Sequence, residues 1–255
     1  MNRLKLIIIK GVSYFYKITY KLFKFSWNIN KSPKVLLYTD SRGTEVSPFY
    51  KQKNPYYSYL SSLKGYDVKY YFCPYKHTSL LDFLRLYDES EIDYDFYVLH
   101  LGIVDFAPRP ISSYNDMLSK KRNFLIRKGW LHYFENRDDY LCDYNGEKTL
   151  QFMSLDFVKD VLTPELSKID NLIYVGVNPV LKKWNGNYWR PRPDSINKQL
   201  LQDQILLDNI LNSISLNAWA EDEIKKYTVD NVHYNSLGLN YIGARVKQEL
   251  KMLDV

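Results

Sequence analysis

The sequence predicts a single α/β domain in which helices cover both faces of a parallel sheet. Two observations support this prediction. Four short apolar runs typical of buried strands are separated by segments with helical periodicity, and this alternation favours a parallel sheet between two helical layers. In addition, a chain of 255 residues with 45% hydrophobic content is long enough to bury one large core.

The predicted strands end at residues that interrupt extended structure. The first is followed by a polar loop with a glycine, the second is stopped by Pro74, and the fourth ends at Asn178-Pro179. The third runs into Gly102 and then into a proline-rich stretch. The four strands cover residues 34–38, 66–73, 95–101 and 171–177.

Helical patterns fill the intervals between these strands. They cover residues 79–87 after the second strand and 195–214 after the fourth. We expect a last helix that has Ser236 as its N-cap and runs to about residue 252.

Residues 111–165 are predicted to form an insertion after the third strand. This polar and aromatic stretch contains a helical patch over 117–130 and a turn signal at Asn145-Gly146. Because it would lie over the C-terminal edge of the sheet, it is a candidate lid or acceptor-binding element.

The net charge of +6 belongs to the N-terminal arm rather than to the domain. Residues 1–39 hold eight Lys and Arg and no acid, whereas the rest of the chain holds 27 basic and 29 acidic side chains. A nearly neutral domain argues against a duplex-binding face, so we expect no nucleic-acid partner.

We expect residues 1–33 to form a basic arm ahead of a domain at 34–255. At helical spacing, most of its basic side chains share one face, which is typical of a helix in a membrane interface. Packing against the domain or a partner subunit explains the pattern equally well. The apolar run at 6–9 is too short to span a bilayer, and no signal cleavage pattern follows. These features predict a cytoplasmic location, at the inner face of the membrane if residues 1–30 bind lipid.

The two cysteines, Cys73 and Cys142, suggest neither a disulfide framework nor a metal site by their spacing. We expect two free buried thiols in a reducing compartment. No cofactor and no metal are predicted.

Polar residues stand at three places that a parallel sheet brings to one edge. Ser41 follows the first strand, Gly102 and Asp105 follow the third, and Asp230 and His233 precede the last helix. A serine hydroxyl becomes a nucleophile when a neutral imidazole accepts its proton and a carboxylate fixes the imidazole tautomer. Asp230 and His233 supply both groups within one turn.

The order of these segments resembles a known superfamily. D-S-x-G, G-x-x-D and D-x-x-H resemble blocks I, III and V of the SGNH/GDSL hydrolases, over roughly residues 34–250. The resemblance implies a three-layer α/β/α, flavodoxin-like domain that attacks an ester or acyl carbonyl. It also implies that Ser41 is the nucleophile and one oxyanion donor through its own N–H, with Asp230 and His233 as acid and base.

The sequence departs from that family at Val104, where block III usually has an asparagine that helps to hold the oxyanion. A valine side chain cannot donate a hydrogen bond, which removes a donor worth about 3 kcal/mol in the transition state. Candidate replacements are the Gly43 N–H and the side chains of Arg42 and Arg109, while Asp105 is expected to organise the crevice by hydrogen bonding. The residues predicted for the oxyanion hole and crevice are therefore Arg42, Gly43, Gly102, Asp105 and Arg109.

Cations and aromatic rings are concentrated in residues 182–193, after the fourth strand. They suit stacking on sugar faces and pairing with a phosphate or an acidic glycan. A solvated loop whose tryptophans pack on the domain explains the composition nearly as well. The residues predicted to bind substrate are Asn178, Trp184, Tyr188, Trp189, Arg190 and Arg192.

The third-strand segment Leu-His-Leu-Gly-Ile-Val-Asp, followed by Ala-Pro-Arg, resembles a variant branch of SGNH-like proteins from bacterial surface-polysaccharide loci. The resemblance implies a serine esterase or deacylase acting on a bacterial surface glycan or a lipid-linked glycan precursor through a Ser41-acyl intermediate. Two alternatives stay open, namely an O-acyltransferase of the same glycan and a non-catalytic glycan-binding module. Val104 is the main argument for the second.

Overall fold

Strands and helices alternate along most of the chain. The computed structural model describes residues 32–45, 58–187 and 191–254, together with Gly11 and Phe15. Nearly all of the predicted arm at 1–33 lies outside these residues. In chain order the strands are β1 (Lys34–Thr39), β2 (Asp67–Phe72), β3 (Phe96–His100), β4 (Arg109–Pro110), β5 (Asp143–Tyr144), β6 (Glu147–Leu150), β7 (Leu172–Val175) and β8 (Asn212–Ile214). The α-helices are α1 (Leu80–Glu89), α2 (Ile103–Phe106), α3 (Ile111–Arg127), α4 (Leu155–Phe157), α5 (Thr163–Ser167), α6 (Gln199–Asn209), α7 (Glu221–Tyr227) and α8 (Ser236–Leu253).

Five of these strands form one parallel sheet in the order β2-β1-β3-β7-β8. The four predicted strands are confirmed as β1, β2, β3 and β7, with ends that differ by at most two residues. The parallel α/β class predicted from the sequence is therefore confirmed, and the C-terminal ends of β1, β3 and β7 lie next to one another.

Side chains alternate between two apolar layers along the central strands. In β1, Leu36 and Tyr38 face a cluster that includes residues of α1 and α3, whereas Val35 and Leu37 face a cluster that includes residues of α8. Both faces of the sheet are therefore buried, as the near-continuous apolar runs of a doubly covered parallel sheet predict.

The insertion at 111–165 has more regular structure than its composition indicates. It begins with α3, a 17-residue helix, and continues into a hairpin that adds β5 and β6 to a small antiparallel sheet with β4. The predicted Asn145-Gly146 turn is confirmed, since both residues have positive φ angles, 54° and 80°.

Two element predictions are wrong in detail. The helix predicted over 195–214 ends at Asn209 in α6, and its last residues form the edge strand β8 instead. The N-cap of α8 is Asn235 rather than Ser236, because the Asn235 side chain accepts the N–H of Gly238. No helix in the described part of the chain has the length and hydropathy needed to cross a membrane.

Candidate active site

Three side chains predicted to act together meet at the C-terminal edge of the sheet. Ser41 lies in a short 3-10 turn directly after β1, and its Oγ is 2.9 Å from Nε2 of His233. The other ring nitrogen of His233, Nδ1, is 2.8 Å from Oδ2 of Asp230. Ser41 and His233 are 192 positions apart in the sequence, yet with Asp230 they form one continuous series of hydrogen bonds.

The loop that carries Asp230 and His233 is organised around the Asp230 carboxylate. Oδ1 of Asp230 accepts the backbone N–H groups of Val232 and His233, at 3.1 and 2.7 Å. Burial disfavours the charged carboxylate, but the hydrogen bond and charge of His233 and these backbone donors outweigh it and lower the pKa of Asp230. An ionised Asp230 holds a proton on Nδ1 and leaves Nε2 to accept the proton of Ser41.

Asn231 holds this loop against the segment that follows β7, a role that sequence reasoning missed. It adopts a left-handed conformation with φ 71°, which asparagine tolerates better than most residues. Its side chain accepts the N–H of Leu181 and donates to the carbonyls of Leu181 and Trp184.

Asn178 was predicted to bind substrate, but the structure gives it a supporting role. Its buried amide donates to the carbonyl of Asn231 at 2.9 Å and accepts the hydroxyl of Tyr234 at 3.0 Å. Trp184 is half-buried and packs on the apolar layer that includes α8. Both residues therefore brace the Asp230–His233 loop. Tyr188, Trp189 and Arg190 lie outside the described residues.

The prediction that the Arg42 side chain donates to the oxyanion is wrong. Its guanidinium is buried and binds Asp40 through Nε and Nη2, at 3.0 and 2.9 Å. It also donates to the carbonyls of Leu101, at 2.8 Å, and Gly176, at 3.2 Å. Arg42 thus joins the ends of β1, β3 and β7 directly beneath Ser41.

Gly43 also serves the turn rather than the crevice. Its N–H donates back to the carbonyl of Asp40 at 3.3 Å. A Cβ at this position would lie 2.0 Å from Oγ1 of Thr39, so only glycine fits. In the part of the chain that the structure describes, the N–H of Ser41 has no acceptor, which leaves it available to an oxyanion.

Gly102 and Asp105 lie in the segment that turns β3 into α2. Gly102 has a φ of 115°, and its carbonyl accepts the N–H groups of Asp105 and Phe106. The expectation that Asp105 organises the crevice is wrong, because its carboxyl is fully buried and accepts the first N–H of α1, from Leu80, at 3.2 Å. Burial raises the pKa of Asp105 to about 8.

Arg109 and Arg192 line a cleft of about 310 Å³ beside the triad. Arg109 donates to the carbonyls of Val104 and Ile103, at 3.1 and 3.4 Å. Nη2 of Arg192 lies 3.7 Å from Oδ2 of Asp230. Both arginines were predicted site residues, and the structure brings both to the same cleft.

The insertion hairpin is fastened to the loop that carries Arg192. The hydroxyl of Tyr144 donates to the carbonyl of Pro191 at 2.8 Å, and Sγ of Cys142 lies 3.0 Å from Oγ of Ser195. Cys142 and Cys73 form no disulfide, and both are half-buried rather than buried as expected. Among the described residues, no group of three or more His, Cys, Asp and Glu side chains is arranged to hold a metal ion.

The sequence matches no family model and no curated protein. Among solved structures, the fold resembles a lipase/acylhydrolase from Enterococcus faecalis, with 14% identity over 86% of this chain and 96% of that one, at a TM-score of 0.49. It also resembles a carbohydrate acetylesterase from Sinorhizobium meliloti, with 12% identity over 87% and 100% of the two chains, at a TM-score of 0.47. An aryl esterase from M. smegmatis gives 11% identity over 87% and 100%, at a TM-score of 0.49.

Proposed function

We propose that this protein is an ester hydrolase of the SGNH type that uses Ser41 as its nucleophile. The observation that carries the proposal is the chain of contacts from Ser41 Oγ to His233 Nε2, at 2.9 Å, and from His233 Nδ1 to Asp230 Oδ2, at 2.8 Å. These distances suit proton transfer from serine to imidazole and stabilisation of the resulting cation by the carboxylate.

In the proposed reaction, Oγ of Ser41 attacks the ester carbonyl while its proton passes to Nε2 of His233. The developing oxyanion accepts the N–H of Ser41. The bond to the alcohol then breaks, and Nε2 returns the proton to the alcohol oxygen, leaving an acyl-serine. Water attacks the acyl-serine by the same sequence and releases the carboxylic acid and free Ser41.

The proposed substrate is an acyl ester on a bacterial surface glycan or its lipid-linked precursor. The resemblance of the third-strand segment to proteins of surface-polysaccharide loci supports it, as does an open cleft with hydroxyl and amide groups along its wall. The basic residues of the arm suit contact with anionic lipid at the inner face of the membrane. Removal of residues 1–30 is expected to abolish binding to anionic vesicles, and unchanged binding would remove this part of the proposal.

Reaction with a fluorophosphonate probe and hydrolysis of 4-nitrophenyl acetate test the chemistry. Ser41→Ala is expected to abolish labelling and to lower kcat by about 10³-fold or more. Ser119→Ala, an exposed serine on α3, is the matched control and is expected to keep both. Equal rates for the wild type and Ser41→Ala would refute the proposal. Transfer of the acyl group to an added polysaccharide faster than to water would make the protein an acyltransferase with the same nucleophile.

A further inference from the structure

The carboxylate of Asp230 has a cation on one side and the imidazole on the other. Nη2 of Arg192 lies 3.7 Å from Oδ2 of Asp230, the same oxygen that faces Nδ1 of His233 at 2.8 Å. The side chains of Arg192 and Asp230 are only 19% and 8% exposed. Solvent and salt therefore screen this ion pair less than they screen a pair on the surface.

The charge of Arg192 acts on Asp230 and His233 together. In the described part of the chain, the other side chains that contact these two by hydrogen bond or ion pair are Ser41, from the turn after β1, and Arg192, from the loop at 191–195. The segments outside the described residues contain no Asp or Glu, so no acidic side chain there can neutralise Arg192. Asp230 is thus the acid that pairs with this arginine.

The insertion hairpin holds the loop on both sides of Arg192. One residue before it, the carbonyl of Pro191 accepts the hydroxyl of Tyr144 at 2.8 Å. Three residues after it, Oγ of Ser195 lies 3.0 Å from Sγ of Cys142. The position of the guanidinium relative to the triad acid therefore depends on the insertion.

We propose that Arg192 is a positioning residue that keeps Asp230 ionised and the imidazole of His233 unprotonated until Ser41 attacks. A cation within about 6 Å favours a charged carboxylate and disfavours a second positive charge nearby. Both effects favour the neutral imidazole, which is the form that accepts the serine proton. This inference rests on the proposed function and adds to it that the insertion, through Arg192, sets the acidic limit of the pH range in which the enzyme works.

The pH profile of kcat/KM for 4-nitrophenyl acetate, a neutral ester, tests the proposal. Arg192→Gln is expected to raise the midpoint of the acidic limb by about 0.5–1 pH unit, because the imidazole is easier to protonate once the nearby cation is lost. Arg192→Met, which keeps the apolar stem, is expected to give the same shift and serves as a second neutral variant. Arg192→Lys keeps the charge and is expected to stay within about 0.3 pH unit of the wild type.

Two further variants test the hairpin and supply the control. Tyr144→Phe removes the hydroxyl that binds the Pro191 carbonyl and is expected to shift the limb in the same direction by a smaller amount. Arg122→Gln removes an exposed arginine that pairs with Glu135 and is expected to keep the wild-type profile.

The outcomes separate this inference from the proposed function. An unmoved limb in both neutral variants of Arg192, or an equal shift in Arg192→Lys, overturns the positioning role and leaves the ester hydrolase intact. A raised KM with an unmoved limb also overturns it, and makes Arg192 the substrate-binding residue that the sequence predicts. An unmoved limb in Tyr144→Phe overturns the part assigned to the hairpin. Equal rates of hydrolysis by the wild type and Ser41→Ala overturn the hydrolase itself.

Discussion

Replacement of Arg42 by glutamine tests whether the buried pair beneath Ser41 supports the whole sheet edge. The Arg42 and Asp40 side chains are only 1% and 0% exposed, and Arg42 also satisfies the carbonyls that follow β3 and β7. Removing one partner of a buried ion pair costs about 3–5 kcal/mol, because the other charge stays buried. Loss of the hydrogen bonds to the two carbonyls costs about 1 kcal/mol for each, and these costs add less than fully to the cost of breaking the ion pair. We expect Arg42→Gln to lower the free energy of unfolding by about 4 kcal/mol, a large part of the typical total of about 5–15 kcal/mol.

Urea unfolding followed by tryptophan fluorescence measures this change. With an m-value near 3 kcal/mol/M, the midpoint is expected to fall by more than about 1 M. Lys225→Gln removes an exposed ion pair with Glu221 and is expected to change stability by less than about 1 kcal/mol. In the double variant Asp40→Asn/Arg42→Gln the loss is expected to be smaller than the sum of the two single losses, because no charge is left unpaired. A loss below about 1 kcal/mol for Arg42→Gln, or strict additivity in the double variant, would refute the reasoning.

Three further changes follow from the site. Asp230→Asn is expected to lower kcat for ester hydrolysis by about 10³–10⁴-fold while the fold is kept, because the amide no longer fixes the tautomer of His233; a loss below about 10-fold would exclude Asp230 as the triad acid. The pKa of Asp105 is raised to about 8 in the folded state, so its contribution to the free energy of unfolding is fully present below the pKa of the unfolded state, near 4, and is lost as pH rises through 8. Asp105→Asn is expected to flatten this decline of the free energy of unfolding between about pH 5 and pH 9. An unchanged slope against pH would contradict the assignment. Gly43→Ala is expected to cost about 1–3 kcal/mol through contact with Thr39, and a wild-type melting temperature would show that the turn can relax.

The contacts among Ser41, His233 and Asp230 could be predicted from the sequence because each of the segments that carry them has a local signal. Ser41 directly follows an apolar run, and Asp230 and His233 are close enough in the chain that a single turn brings them together. The parallel sheet then fixes where the two segments meet, since strand ends in such a sheet share one edge.

Other features depend on contacts that have no local pattern. Arg42 follows Ser41, the predicted nucleophile, at a position that suits an exposed donor, and its burial depends on the carbonyls of Leu101 and Gly176, which are distant in the chain. Asn178 follows the fourth predicted strand, a position that also suits a crevice residue. In the structure, however, its side-chain amide is hydrogen-bonded to Tyr234 and Asn231. The strand β8 has only three residues and lies at the sheet edge, so its polar residues cannot be distinguished in the sequence from the end of the preceding helix.

The contacts between the insertion hairpin and the 191–195 loop have a consequence for how such a protein diversifies. Tyr144 and Cys142 fasten the hairpin to the loop, whereas Arg42 fastens the nucleophile to the sheet. Exchanging both surface segments together would therefore reshape the cleft at Arg192 while the position of Ser41 stays fixed, so the cleft can vary in descendants of this chain without displacing that serine.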